Sequence, residues 1–148
     1  MRVIVLRGIP GSGKSHQAAS VTGATIVSAD HFFLDAEGEY KFDPARLADA
    51  HAACLRRFID ELTSPSSELL IVDNTNASVA EMAPYMAVAS AFGAPAEIIE
   101  VACDPAVAAA RNIHSVPADV VTRIHDTIRI NDALIPAWWK RTILDPVL

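Results

Sequence analysis

An unbroken apolar run, Val3-Ile4-Val5-Leu6, delivers the chain directly into Gly8-Ile9-Pro10-Gly11-Ser12-Gly13-Lys14-Ser15. No other feature limits the fold as tightly. A continuous apolar run is the signature of a strand covered on both faces. The octapeptide fits G-x-x-x-x-G-K-[ST], whose meaning depends on lying between a strand and a helix. A random chain of this length would match that pattern roughly once in two hundred times, before the context is counted. Similar runs recur at Ala24-Thr25-Ile26-Val27, Leu69-Leu70-Ile71-Val72 and Ile98-Ile99-Glu100-Val101. They alternate with helical patterns, which predicts four parallel strands in a doubly wound α/β sheet.

The helices carry their own punctuation. Asp43-Pro44 opens one, with Leu47, His51, Cys54, Leu55, Phe58 and Leu62 on a single stripe. Ser78-Val79-Ala80-Glu81 reads as a capping box for the next. Asp104-Pro105 opens an Ala-rich helix reaching Arg111 or Asn112, and another runs from about Pro117 to Ile130 with Val120, Val121, Ile124 and Ile128 inward. The pattern predicts one three-layer domain over 1–148, strand order about 2-3-1-4, with a helical lid over about 112–130. The stretch 131–148, through Trp138-Trp139, has no period that places it, and packing back on the sheet is favoured over a partner surface.

Composition narrows the partners. With 18 acidic and 12 basic side chains the formal charge is -6, which argues against binding a long nucleic acid groove through phosphate neutralisation. The longest stretch without charge or histidine, Met82 to Ala96, has 15 residues and is broken by Pro84, Gly93 and Pro95, so no membrane span is expected. The four apolar residues after Arg2 fall short of the roughly seven of a signal-peptide core, and a cytoplasmic location is expected. Cys54 and Cys103 show neither disulfide nor zinc spacing and read as small apolar residues of a reducing compartment.

In a sheet of this kind ligands sit beyond the carboxyl ends of the strands. There the glycines let backbone N–H groups point at phosphate oxygens, Gly11, Ser12 and Gly13 forming the cradle, with Lys14 reaching the β and γ phosphates. Ser15 offers a hydroxyl to Mg²⁺, so ATP with magnesium is the expected cofactor. His16 reads as helix surface or as a further nucleotide contact. Asp30, ending the second strand, is the candidate base for an acceptor hydroxyl, and His31-Phe32-Phe33 could wall its pocket, Phe33 being a substrate contact. Asp73 ends the third strand as a second metal ligand, and Asn74 and Asn76 either form the turn or line the acceptor channel. Arg111 and Arg123 are candidates to meet charge on a transferred phosphoryl, whereas Arg129 reads as a solvated helix face.

Leu6-Arg7-Gly8-Ile9-Pro10-Gly11-Ser12-Gly13-Lys14-Ser15, Ser28-Ala29-Asp30-His31-Phe32, Gly38-Glu39-Tyr40-Lys41-Phe42-Asp43, Val72-Asp73-Asn74-Thr75-Asn76 and Arg111-Asn112 before Val116-Pro117 together resemble the P-loop kinase domain of the polynucleotide 5′-hydroxyl kinase family. The resemblance covers about residues 2–130. It implies ATP-dependent phosphorylation of a 5′-hydroxyl at a DNA or RNA end, with Asp30 as general base and Lys14 and Ser15 in the phosphate and metal roles. Where well-studied members carry an arginine three residues after the base, this chain has Phe33, and Ser115 replaces a second lid arginine. A small-molecule hydroxyl acceptor is the alternative, and a nucleotide-dependent binding module or plain ATPase is the reading from another class.

Overall fold

The computed structural model describes residues 1–145. Strands β1 (Arg2–Arg7), β2 (Thr25–Val27), β3 (Leu69–Asp73), β4 (Ala96–Val101) and β5 (Lys140–Leu144) form a fully parallel sheet in the order β2-β3-β1-β4-β5. Helices α1 (Lys14–Ala19), α2 (Leu47–Thr63), α3 (Val79–Ala91), α4 (Pro105–Arg111) and α5 (Ala118–Asn131) provide the crossovers and cover the faces. The first four strands lie in the expected order. The fifth comes from the stretch that carried no readable period, and it extends the sheet beyond β4. Lys140 stands opposite Glu97 and Ile143 opposite Glu100 in that pairing. Trp139 packs on the main core, whereas Trp138 remains 83% exposed. Residues 146–148 of the unplaced stretch lie outside the described residues. Among the described residues no helix is long and apolar enough to cross a membrane.

Period-two alternation along the strands divides the core. Val3, Val5, Val27, Leu70, Val72 and Ile98 face α2 and α3 and pack on Cys54, Phe58, Met82 and Tyr85. Ile4, Leu6 and Ile71 face the other way, with Ala18 of α1. A third cluster joins Ile9 to Ala77, Ala108, Val121 and Ile128, seating α4 and α5 over the loop that follows β1. The helix caps are local and act as the sequence suggests. Ser78 and Glu81 form the reciprocal box, Asp43 accepts from Ala45 N, and Asp104 accepts from the amides of Ala106 and Val107. The α2 stripe is shifted from expectation: Leu47 is exposed, and the buried side starts at Ala50.

β1 ends in a fully buried arginine. Arg7 donates Nε to Asn76 O (3.2 Å), Nη1 to Glu100 Oε2 (3.2 Å) and Asp132 Oδ1 (2.6 Å), and Nη2 to Ala77 O (3.0 Å) and Ile128 O (2.9 Å). Arg129 and Arg141 also pair with both Glu100 and Asp132. This corrects the expectation for Arg129: its side of α5 is turned to a buried acid, because Glu100 sits inside the sheet edge and needs basic partners. On the outer part of β4, Glu97 holds β5 through Lys140 and the Thr142 hydroxyl, and also meets Arg2. The hydrogen bond from Thr142, together with those cations, holds the Glu97 carboxyl below its usual pKa despite burial. Replacing Arg7 by methionine strands three carbonyls and part of the charge of two acids. Urea unfolding should show Arg7→Met less stable by about 3–5 kcal/mol, the cost of breaking a buried ion pair.

Candidate active site

The loop Gly8–Gly13 leaves β1 and enters α1 without a side-chain cap, so the first amides of that helix remain available. Gly13 takes φ +98° at the helix start. Gly11 combines φ +82° with close approach to α4: a Cβ there would lie 2.1 Å from Ala108 O. Only glycine satisfies both conditions. Ser12 Oγ is buried inside the loop without a hydrogen-bond partner, a donor that a phosphate oxygen would satisfy. Ser15 and His16 are exposed at the start of α1.

Lys14 is buried, and its ammonium donates to Ile9 O at 3.0 Å. Desolvation pushes its pKa below the normal 10.5, while the charges of Asp73 and then Asp30 pull the other way. The loop lysine and the two strand-end carboxylates therefore share one electrostatic site. Topology explains this: Leu6 pairs with Asp73, and Val72 with Val27, so the carboxyl ends of β1, β3 and β2 lie side by side. Ser15 and Asp73 contribute hard oxygen donors of the kind that suits Mg²⁺, which draws its remaining ligands from phosphates and water.

Asp30 lies in a 3₁₀ turn, Ala29–Phe33, capped by Ser28. Its side chain is 52% exposed, with Tyr40 Oη donating to Oδ1 at 3.0 Å and His114 Nε2 at 3.8 Å from Oδ2. Burial, then the neighbouring Asp30 charge, pushes the Tyr40 pKa upward, so the phenol stays a proton donor. Arg111 reaches back from the end of α4, donating Nε to Gly11 O (3.2 Å) and Nη2 toward Cys103 Sγ (3.3 Å). Cys103 is half-buried and packs against the Ile9, Ala108 and Val121 cluster, with the Arg111 guanidinium at its sulfur. Arg123 stands exposed on α5, its carbonyl accepting from the Thr127 hydroxyl.

Three expected substrate contacts are placed differently. Asn74 is buried; its Oδ1 accepts from Ala29 N (2.8 Å) and its Nδ2 faces Tyr85 Oη and Cys54 Sγ, so it fixes the turn that carries Asp30. Asn76 is buried at φ +46° and donates Nδ2 to Leu6 O (2.6 Å), while Thr75 O accepts from Gly8 N. Both asparagines are buried and tie the strand-end turns to the fold through these hydrogen bonds. Phe33 is 5% exposed, its ring set edge-on to Phe32, Tyr40 and Phe42. It lines a cleft of about 300 Å³ whose other walls include Phe32, Lys41 and Arg46. Sequence reasoning missed Tyr40 and His114 as neighbours of Asp30, although both lie in segments that carried the family resemblance.

Fold and site define a P-loop phosphate-binding domain with a kinase-like architecture. The family model for the AAA domain matches residues 3–129, and the chain belongs to that family. The human NEDD4-binding protein 2 is 32% identical over 131 residues, which are 82% of this chain and 7% of that protein; the chain thus spans a small part of its relative. Two solved structures share the fold. A gluconokinase from Sinorhizobium meliloti 1021 superposes with a TM-score of 0.64 at 17% identity, over 99% of this chain and 83% of that one. A chain of the Pnkp1/Rnl/Hen1 RNA repair complex does so with 0.68 at 16% identity, over 91% and 46%.

The buried ammonium costs the ligand-free fold stability. Because the folded-state pKa of Lys14 is lowered, this cost is full below that pKa and is relieved as pH rises from it toward 10.5. Lys14→Met should therefore unfold at a higher temperature than the wild type at pH 7, by a margin that shrinks in alkaline buffer. The same variant should bind Mg-ATP about ten- to a hundredfold more weakly, the equivalent of the ~1.5–3 kcal/mol of a hydrogen bond to a charged group. Thermal melts with and without nucleotide read both effects.

Proposed function

We propose that the chain is an ATP-dependent phosphotransferase acting on a hydroxyl, with the 5′-hydroxyl end of DNA or RNA as the favoured acceptor. The observation that carries this reading is the joint action of Asp30 and Asp73 on Lys14, with Asp30 exposed and not consumed by the fold. An ATPase needs the loop, the lysine and the metal-side acid. A second, exposed carboxylate whose charge acts on the same ammonium supplies the group that a hydroxyl acceptor requires.

In this reading the loop amides, Ser12 and Lys14 bind the β and γ phosphates, and Arg111, tied to Gly11 O, meets charge developing on the transferred group. Arg123 is exposed toward solvent on the same helical cover and is assigned to the same task. Ser15 and Asp73 would hold Mg²⁺, which when bound neutralises phosphate charge. The acceptor oxygen attacks the γ phosphorus, the bond from that phosphorus to the β–γ bridging oxygen breaks, ADP leaves, and the hydroxyl proton passes to Asp30. An ordinary carboxylate serves because the hydroxyl proton leaves late in a loose transition state.

The polynucleotide acceptor draws support from the motif resemblance and from the cleft that Phe32, Phe33, Lys41 and Arg46 line. There the Arg46 guanidinium lies 4.7 Å over the Phe32 ring, and Lys41 stands on the rim, a combination suited to bases and phosphates. One observation favours a small neutral acceptor instead: Lys41 pairs with Asp35 (2.8 Å) and Arg46 with Asp49 (3.2 Å), so the rim cations are already matched. Labelled ATP offered with 5′-hydroxyl DNA, 5′-hydroxyl RNA, nucleosides and sugars decides the matter. Label should appear on oligonucleotide ends, and Asp30→Asn should lower kcat by about 10²–10⁴, the usual contribution of a positioned base. Label on small molecules alone would assign the second reading. ATP hydrolysis that ignores both the acceptor and Asp30→Asn would leave an ATPase or binding module.

A further inference from the structure

The turn after β2, the bridged loop that follows it and the distant α4–α5 link meet at the Asp30 carboxylate. Tyr40 donates to Oδ1, His114 faces Oδ2, and the rings of Tyr40 and His114 touch, centroids 4.4 Å apart and tilted by 38°. Each partner is anchored by its own network. Asn112 spans the α4–α5 link, donating Nδ2 to Ala109 O and Val116 O and accepting from Val116 N at 2.7 Å, which sets His114 at the tip. Ser115 beside it is held at φ +53°, a left-handed geometry that a non-glycine residue keeps only when its surroundings enforce it. On the other side, Leu34 bridges to Tyr40, Asp35 Oδ1 accepts from Glu37 N and Glu39 N, and Lys41 N donates to Phe33 O.

We propose that Tyr40 and His114 are positioning residues of the acceptor site, acting through Asp30. This rests on the phosphotransferase reading above. A half-exposed carboxylate turns freely about its last torsion, and its two oxygens exchange places. The Tyr40 hydrogen bond ends that exchange by engaging Oδ1, which reserves Oδ2 for the incoming hydroxyl. His114, at 3.8 Å, is beyond hydrogen-bond reach of Oδ2, so it walls that oxygen without occupying it, and its ring backs the Tyr40 ring. The acid aimed at the acceptor is thereby oriented by one residue from its own side of the cleft and one from the helical cover. An acceptor hydroxyl meets an oriented oxygen only while the α4–α5 link stands over the loop.

Steady-state kinetics on correctly folded wild type, Tyr40→Phe, His114→Ala, His114→Phe and the Tyr40→Phe/His114→Ala double variant test this, with Mg-ATP and a 5′-hydroxyl oligonucleotide, or whichever acceptor the wild type labels. Tyr40→Phe should lower kcat about tenfold, the scale of one hydrogen bond to a charged group, with the KM for ATP unchanged within about twofold. His114→Ala should lower kcat and raise the acceptor KM, and His114→Phe, which keeps a ring against Tyr40, should recover most of the loss. The double variant should cost much less than the product of the two single effects, since both act on one carboxylate. Single variants with wild-type kcat and acceptor KM, or losses that appear equally in the KM for ATP, would overturn the proposal while leaving the phosphotransferase intact. A wild-type chain that labels no hydroxyl acceptor would overturn that reading, and the proposal with it.

Discussion

The phosphate loop is only as well placed as the end of β1, and that end is fixed by one guanidinium. Arg7 has five N–H donors, and all find acceptors, spread over four elements: two on the β3–α3 turn and one each on β4, α5 and the turn after α5. Burying an ion is expensive unless geometry and hydrogen bonding are complete. Here they are complete, so the desolvation cost is offset and the charge holds the elements together. The next residue, Gly8, donates to Thr75 O, and the one after, Ile9, enters the cluster under α4 and α5. The nucleotide loop thus starts from a point tied at once to the strand that carries Asp73 and to the helices that carry the arginines.

Against this rigid root stands a local electrostatic tension. Lys14 is buried where water cannot solvate it, and two acids partly compensate. In the proposed reading a polyphosphate with its metal would relieve this tension, giving Lys14 anionic partners and Asp73 a cation. A ligand that binds only the folded state stabilises it by mass action, so the strain in the free site is returned as selectivity for phosphate.

What the sequence makes legible is what local chemistry decides. The loop glycines, the capping box at Ser78 and Glu81, the Asp-Pro helix openings and the first four strands are each written within a few residues. β5 is not: Lys140–Leu144 is short and half-exposed, and becomes a strand because Glu97 and Glu100 of β4 hold Lys140, Thr142 and Arg141. Polar residues at strand ends mislead for a related reason. An asparagine that faces a ligand and one that satisfies a buried carbonyl have the same one-dimensional appearance, and only the fold shows that Asn74 and Asn76 belong to the second kind. Tyr40 and His114 lie 74 positions apart, and no periodicity connects them to each other or to Asp30.

The two halves of the site are built in different ways, and this bears on how much the fold can say about the acceptor. The donor half sits on a strand end, a helix start and a close backbone contact between Gly11 and Ala108, all parts of the shared architecture. The acceptor half is made of a 3₁₀ turn, a bridged loop and an interhelical link, segments that can change without disturbing the sheet. Solved structures at 16–17% identity reproduce the sheet and its helices, yet fold alone hosts many chemistries. In the proposed reading the choice of acceptor rests on the groups around Asp30: the Tyr40 phenol, the His114 ring, and the nearby aromatic cluster of Phe33. Substitutions there can retune the alcohol that is accepted while β1, Arg7 and the phosphate loop remain as they are, because nothing in the acceptor half carries the load that Arg7 carries.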